Sequence, residues 1–267
     1  RRAPPTEDRL PGLVWMEGVF DDDTVLLVGS APPYPYGVMD PLRALSDLAQ
    51  RKGIWLHVDA CLGGMILPFA AEAGWPADAF DFSLPGVSSI SVDLHKFGWA
   101  CKGVSALMLR DKAEAQHART VFTNWPAGLY GTPGVAGTRS GGALGSAWAV
   151  MRCLGRAGFV ERVGQTLAIR GEFIAAIQGV GGHVLGKPQC YHFAFQVEGV
   201  DTLAVAENLI KDGWFVGSLE RPPSVQLMIN VGHAGMAGPF AEALAGIVAD
   251  LKSGRRGGTG KTSVYSM

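Results

Sequence analysis

The stretch SSISVDLHKFG, residues 88–98, combines a short apolar strand pattern with a polar turn that presents a His-Lys pair. A second apolar stretch, IWLHVDA at residues 54–60, ends on an acid, Asp59. Continuous apolar runs of this kind are typical of strands that are covered on both faces of a parallel sheet. We therefore expect Lys96 and Asp59 to follow neighbouring buried strands, at their carboxyl ends.

A lysine and an aspartate in these positions predict pyridoxal phosphate (PLP) chemistry. Lys96 would carry the cofactor as a Schiff base, and Asp59 would hold its ring nitrogen protonated. The apolar and aromatic neighbours of Lys96 would partly desolvate its amine and so lower its pKa. Two structural interpretations stay open, since Lys96 could be a solvated surface residue and Asp59 could cap the turn that follows it.

Two further features lie near the proposed site. His95 adjoins the lysine and could reach a phosphate or substrate oxygen, although it could equally be a structural histidine. His57 shares a strand face with Asp59, because side chains alternate along a strand. The Gly-rich loop 131–142 runs into a predicted helix, and its glycines, with Thr138 and Arg139 as donors, predict a phosphate cradle.

Composition excludes several classes of protein. The chain has 267 residues, of which 48% are hydrophobic and 18% charged, and its net charge is −1. This composition is typical of a globular protein and gives no field that would attract nucleic acid or an anionic membrane. No apolar run reaches the roughly 18 residues of a membrane span, so we expect no transmembrane segment in this chain.

Four cysteines without a C-x-x-C pair argue against a metal site or a disulfide framework. They fit a reducing, cytoplasmic compartment. Cys61 and Cys101 lie near the proposed site, where they act either as small apolar filler or as reactive thiols.

The order of predicted elements indicates an α/β fold. Asp40-Pro41 predicts a helix start with Asp40 as N-cap, and Gly53 ends that helix before the next strand. The strand–helix–strand order predicts a right-handed crossover in a mainly parallel sheet. Strands are predicted at 24–30, 54–59, 87–92, 103–109, 190–197, 214–218 and 225–231, helices at 143–154, 158–178, 201–212 and 238–252, and a loop at 125–142. We expect a partial large domain at 1–157 and a smaller C-terminal α+β domain at 158–267.

Taken together, these segments resemble the PLP-dependent group II decarboxylase superfamily of fold type I, closest to its sphingosine-1-phosphate lyase branch. The resemblance covers nearly the whole chain, and the ordered set of motifs is more specific than any one motif. The matching stretches are 29–37 with 40–41, 57–64, 80–82, 85–87, 89–96, 102–103, 125–133 and 136–142, with weaker matches at 213–214, 222–223, His233 and the tail 260–267.

The resemblance implies a role for each site residue. Lys96 would bind the cofactor covalently, Asp59 would pair with its ring nitrogen, and His95 would lie at its phosphate. Tyr34 and Lys102 would line the substrate side and act in catalysis. The remaining implied cofactor-binding residues are Ala60, Ser30, Gly137 and Thr138, of which Gly137 and Thr138 would reach across a homodimer interface to a shared active site.

The implied reaction is cleavage of a phosphorylated long-chain amino alcohol to a fatty aldehyde and phosphoethanolamine. The catalytic base stays open among Lys102, Tyr34 and a bound phosphate oxygen. A carboxy-lyase of the same superfamily, acting on an amino acid, is the alternative, and a catalytically inactive binding partner with this fold is a third.

The chain also departs from the family pattern. Members carry a segment ahead of the first strand, with a Gly-rich phosphate turn and a histidine that stacks on the cofactor ring, and residues 1–23 match neither. We therefore expect these 267 residues to be a fragment that exposes apolar sheet edges. We also expect them to bind PLP poorly by themselves. A visible cofactor absorption band at micromolar PLP, lost in Lys96→Ala, would contradict this expectation.

Overall fold

The computed structural model describes residues 1, 3–7, 9–134 and 136–259, and two β-sheets organise them. The tail 260–267, which carried one of the weaker family matches, lies outside the described residues. The first sheet has the order β1-β2-β3-β4. Its strands are Leu26–Ser30, Trp55–Asp59, Val87–Asp93 and Ser105–Leu109. The first three run parallel and β4 is antiparallel to β3, so the predicted mainly parallel sheet is confirmed.

Helices cover one face of this sheet. Helix α1 spans Leu13–Gly18, α2 spans Leu42–Lys52 and the short α3 spans Leu67–Ala70. Leucines of α2 pack with the alternate inward residues of β1 and β2 in a single apolar core, as expected for an amphipathic crossover helix. The helix ends at Gly53 with a φ of 62°, as predicted, since glycine adopts this left-handed conformation at little cost.

The predicted role of Asp40 is wrong. Helix α2 begins at Leu42 with Pro41 as its N-cap residue, and no side chain caps it. The Asp40 carboxylate instead accepts a hydrogen bond from the Ser30 backbone N–H at 2.7 Å. Burial raises the pKa of Asp40 to about 6, against the opposing effect of that hydrogen bond. The residue therefore ties the end of β1 to the start of the helix.

The segment between the two sheets is more regular than predicted. Helix α4 spans Lys112–Ala115, and strands β5, Thr120–Phe122, and β6, Tyr130–Thr132, form an antiparallel hairpin. The predicted loop from 125 to 142 thus contains a strand. This hairpin is unusual in exposing large apolar side chains, among them Val121, Phe122 and Leu129.

A long helix, α5, runs from Gly141 to Gly179. Two helices were predicted here, and the backbone does break at Gly155, where φ is 55° and ψ is −175°. Glycine is the residue that tolerates this conformation. The first half exposes Leu144, Trp148 and Met151, whereas the second half buries Phe159, Val163 and their neighbours.

The second sheet is entirely antiparallel, in the order β7-β8-β10-β9. Its strands are β7, Gly182–Val184; β8, His192–Val197; β9, Gly217–Glu220; and β10, Pro223–Met228. Helices α6, Thr202–Lys211, and α7, Ala237–Lys252, pack on it with the second half of α5 around one apolar core. Strand β7 was not predicted, and β9 and β10 lie a few residues from their predicted places. The division into domains at 157/158 stays a prediction.

Edge strand β1 presents apolar side chains to solvent, with Leu26 and Val28 each about half exposed. Leu107 on the opposite edge strand, β4, is 60% exposed. These exposures agree with the expectation of apolar sheet edges. Among the described residues, no helix is long and apolar enough to cross a membrane.

Candidate active site

Lys96 lies in the tight turn that follows β3. The turn is closed by hydrogen bonds from the Lys96 N–H to the Asp93 carbonyl and from the Trp99 N–H to the Lys96 carbonyl. The side chain projects into a cleft of about 1130 Å³ between the first sheet and the strands of the second. The Phe97 ring is directed instead against Tyr191, at a centroid distance of 3.8 Å. Consecutive residues of this turn therefore point in different directions, with the Lys96 amine in the cleft and the Phe97 ring packed against Tyr191.

The Lys96 ammonium forms an ion pair with Asp93, Nζ to Oδ2, at 2.9 Å. The other Asp93 oxygen accepts a hydrogen bond from the Ser105 hydroxyl at 2.5 Å. Burial lowers the pKa of Lys96, but the hydrogen bond and the charge of Asp93, with a further contribution from Cys61, outweigh burial, so that its pKa is raised. The predicted lowering is therefore wrong for the cofactor-free chain. The prediction omitted the carboxylate three residues before the lysine.

Asp59 ends β2 in a polar row across the sheet. Its neighbours in register are Ser30 on β1 and Ser91 on β3, and Ser91 donates a long hydrogen bond, 3.4 Å, to the Asp59 carboxylate. The same carboxylate oxygen accepts the Cys61 backbone N–H at 3.0 Å, so the turn-capping interpretation of Asp59 is correct. Asp59 is half-buried rather than buried.

His57 lies on the same sheet face as Asp59, as predicted. Its two ring nitrogens contact the hydroxyls of Ser89, at 2.8 Å, and Ser91, at 3.1 Å. Burial lowers the pKa of His57, against the opposing charge of Asp59. The histidine is thus held neutral by the interior and fixed by two serines.

The Cys61 thiol connects the two predicted residues. The Asp59 carboxylate and the Lys96 ammonium both act on the pKa of this thiol, in opposite directions. Burial, with the charge of Asp59, raises the pKa of Cys61 against the opposing effect of Lys96, so the group is a thiol at neutral pH. The fold therefore brings Asp59 and Lys96 to one place. Cys61 is neither pure filler nor an activated nucleophile there. All four cysteines are free.

His95, Lys102 and Tyr34 line the same cleft as Lys96. His95 Nδ1 donates to the Val104 carbonyl at 2.7 Å, which leaves Nε2 on the side of Asp93, 3.9 Å from its carboxylate. A histidine fixed in this way presents one nitrogen to a ligand. Three of the residues that the sequence assigned to the site thus meet Lys96 in one cavity.

Tyr34 is placed by the second sheet. The buried Gln226 side chain on β10 donates to the backbone carbonyls of Tyr34, at 2.6 Å, and Pro35, at 3.1 Å. His192 on β8 lies 3.2 Å from the Pro33 carbonyl. Gly37 brings the loop so close to β8 that a Cβ there would lie 2.0 Å from the His192 carbonyl oxygen. These contacts fix the loop 33–37 across the cleft.

The structure keeps other predicted residues outside this cleft. Asp59, Ser30, Ala60, Gly137 and Thr138 are not among the described residues that line it. Ser30 and Ala60 lie on the polar row instead, where the Ala60 N–H donates to the Ser91 carbonyl. In the loop 136–140, the Arg139 guanidinium donates to the Gly137 carbonyl. The assignment of Gly137 and Thr138 to a phosphate stays a prediction.

Sequence reasoning missed Asp93, Gln226 and Tyr191 as parts of the site. Asp93 was within the decisive stretch, and its i, i+3 spacing from Lys96 was a usable signal. Gln226 and Tyr191 gave no local signal, because they reach the cleft from strands more than ninety residues away in the sequence.

The described residues fit PLP. The cleft offers an amine at Lys96 for covalent attachment, whereas the Asp59 carboxylate does not line the cleft and is linked to Lys96 through Cys61. His95 and Lys102 supply nitrogen donors of the kind that bind a phosphate. Among the described residues, no group of three His, Cys, Asp or Glu side chains could hold a metal ion.

Comparisons with known proteins agree with this site. Residues 34–198 match the pyridoxal-dependent decarboxylase conserved domain. Sphingosine-1-phosphate lyases of Oryza sativa and Dictyostelium discoideum are each 36% identical to the chain, over 95% and 86% of it. These alignments cover 47% and 43% of the two lyases. The chain therefore spans about half the length of the curated relatives it matches.

Solved structures show the same relationship. A sphingosine-1-phosphate lyase of Burkholderia pseudomallei superposes with a TM-score of 0.90 at 38% identity, covering 95% of this chain and 58% of that one. A glutamate decarboxylase of Lactobacillus brevis superposes with a TM-score of 0.79 at 20% identity, covering 94% of this chain and 60% of that one, and so shares the fold. The fold is that of the type I PLP enzymes, and PLP is the cofactor that these relationships imply. The chain belongs to the pyridoxal-dependent decarboxylase family.

Proposed function

We propose that this chain carries the lysine-bearing half of a PLP-dependent lyase that cleaves a phosphorylated long-chain amino alcohol to a fatty aldehyde and phosphoethanolamine. The observation that carries the proposal is the cleft itself. Lys96, His95 and Lys102 lie on its polar side, and Leu219, Met228 and Val231 form an apolar wall. An amphiphile with an anionic head suits such a cleft better than a small dicarboxylic amino acid. The identity to sphingosine-1-phosphate lyases supports the same substrate class.

The residues have distinct roles in this proposal. Lys96 attaches the cofactor, and Asp59 holds a proton at the ring nitrogen. When bound, PLP supplies the electron sink for cleavage next to the amine-bearing carbon. His95 binds phosphate through Nε2 in its imidazolium form, since its Nδ1 proton is already donated to the Val104 carbonyl. Ser30, Ala60, Gly137 and Thr138 keep the cofactor-binding roles that the resemblance assigns.

Lys102 and Tyr34 serve the substrate. Lys102 places a positive charge on the side of the cleft that receives the substrate phosphate. The Tyr34 ring lines the opposite wall, on a loop that two residues of the second sheet anchor. Either side chain can take the hydroxyl proton of the substrate, and a bound phosphate oxygen is the third candidate base.

The active unit in this proposal is a homodimer with shared sites. Its support is the set of exposed apolar side chains on the β5–β6 hairpin, Val121, Phe122 and Leu129, together with the exposed Trp148 on the first half of α5. Patches of this kind on a globular protein mark interaction surfaces. Sedimentation equilibrium of the full-length protein should give twice the chain mass, and a mass equal to one chain would contradict the dimer.

The function is tested with the full-length protein and PLP, offered either a phosphorylated long-chain base or glutamate. We expect long-chain aldehyde from the first substrate and no carbon dioxide from the second. Lys96→Ala should abolish aldehyde formation, whereas Lys211→Ala, which removes an exposed lysine of α6, should leave it unchanged. Carbon dioxide release from an amino acid, without aldehyde from the lipid, would identify the carboxy-lyase alternative and refute the proposal.

A further inference from the structure

A second cavity of about 340 Å³ opens beside the cleft, and we name it the side pocket. It lies where the ends of β9 and β10 part above the core of the second sheet. Its walls include the rings of Phe173, Trp214 and Phe240. Trp214 packs edge-on against Phe240 at a centroid distance of 5.1 Å, and Phe173 lies 5.4 Å from Phe240. The side pocket is therefore an aromatic pit that reaches the buried core.

The side pocket borders the cleft. Tyr34, Gly217, Gln226, Met228, Ile229 and Asn230 line both cavities. Met228, at the end of β10, is half-buried at this junction. The two cavities therefore meet at the end of one strand, with these residues between them.

The two cavities differ in their charge. The cleft carries Lys96, Lys102, His95 and Asp93, whereas none of the described residues lining the side pocket is Asp, Glu, Lys or Arg. Its polar groups are also engaged within the protein. His233 Nδ1 accepts the Asn230 N–H at 3.0 Å, and Gln226 donates to the loop at Tyr34. The combined cavity thus has a charged end and an apolar end.

We infer that the side pocket binds the alkyl chain of an amphiphile whose anionic head lies in the cleft near Lys102. This inference rests on the proposed function and adds the location of the tail. An apolar cavity of about 150 Å³ suffices for benzene, so 340 Å³ accommodates about a dozen carbon atoms. Each methylene that enters the pocket should tighten binding about fourfold, which corresponds to about 0.8 kcal/mol.

The test is calorimetric titration of the full-length protein with monoalkyl phosphates of increasing length, each below its micellar concentration. We expect affinity to rise about fourfold per methylene and to level off at about a dozen carbons. Met228→Trp should fill the junction and flatten this dependence. Ile210→Trp, a comparable enlargement at an exposed site on α6, should leave it unchanged.

A second variant guards against simple misfolding. Trp214→Leu enlarges the pit, so the levelling-off should move to longer chains, a gain that an unfolded protein cannot give. Lys102→Ala should weaken all lengths by the same factor. A flat dependence in the unaltered chain, or an unchanged slope in Met228→Trp, would overturn the inference. If the protein forms aldehyde but its affinity does not depend on alkyl length, only the role of the side pocket is refuted. If affinity rises steeply with alkyl length but no aldehyde forms, only the proposed function is refuted.

Discussion

Replacement of Asp93 by asparagine tests the ion pair that controls the proposed nucleophile. The substitution keeps the shape of the side chain and can still accept the hydrogen bond from Ser105. It removes the charge that lies 2.9 Å from the Lys96 ammonium. Because this charge helps to raise the pKa of Lys96, the variant should hold more of Lys96 as free amine at any pH below that pKa.

The size of the effect follows from distance and exposure. Two unit charges at 2.9 Å attract by about 1.4 kcal/mol in a medium as polar as water. The Lys96 side chain is 35% exposed, and solvent screening together with side-chain entropy reduces such a pair to about 1 kcal/mol. That energy corresponds to about a fivefold rise in the rate at which Lys96 reacts as an amine. Cys61 also helps to raise the pKa of Lys96 and should prevent a larger change.

The rate can be measured by trace acetylation between pH 7 and 11, followed by mass spectrometry of the peptide that contains Lys96. The readout needs no cofactor and no catalytic activity. Lys211, which pairs with Glu207 at 2.8 Å on α6, is the internal control and should react at the same rate in both proteins. Equal Lys96 rates at pH 8 would refute the argument, as would a faster reaction of every lysine.

Two stability predictions concern the contact between β8 and the loop 33–37. Burial lowers the pKa of His192 to about 4, below the roughly 6.5 of an unfolded chain. The contribution of neutral His192 to the free energy of unfolding should therefore be complete above pH 6.5, and it should fall by about 3 kcal/mol as the pH drops to 4. In urea unfolding, His192→Asn should lack this loss. Asp40 titrates in the same pH range, and because its pKa is raised to about 6, it changes the free energy of unfolding in the opposite direction. Both proteins contain Asp40, so its effect cancels when His192→Asn is compared with the unaltered protein. Gly37→Ala should cost about 3 kcal/mol or more, from strain and overlap. Gly53 has a similar φ, but a Cβ added there would meet no atom within 4 Å, so Gly53→Ala should lower the free energy of unfolding by about 1 kcal/mol from strain alone. Equal losses in the two variants would show that overlap with His192 contributes nothing at Gly37.

Much of the fold could be predicted because its signals are local. The strands before Asp59 and Lys96 are continuous apolar runs, and the helix between the first two strands ends at a glycine that adopts positive φ, as predicted. The β5–β6 hairpin and β7 were missed, because three-residue strands carry too few side chains to show a period. The helix-capping role predicted for Asp40 is wrong, because its carboxylate accepts a tertiary hydrogen bond from the Ser30 N–H instead.

The sequence by itself determined that Lys96 follows one buried strand and Asp59 its neighbour, because burial and strand period are properties of consecutive residues. Only the tertiary structure decided what surrounds them. Asp93 raises the pKa of Lys96 where apolar neighbours alone would lower it, and Gln226 fixes Tyr34 from 192 residues away. Charge interactions and hydrogen bonds depend on distances of a few ångströms. Those distances arise when separate segments pack together, and no local pattern encodes them.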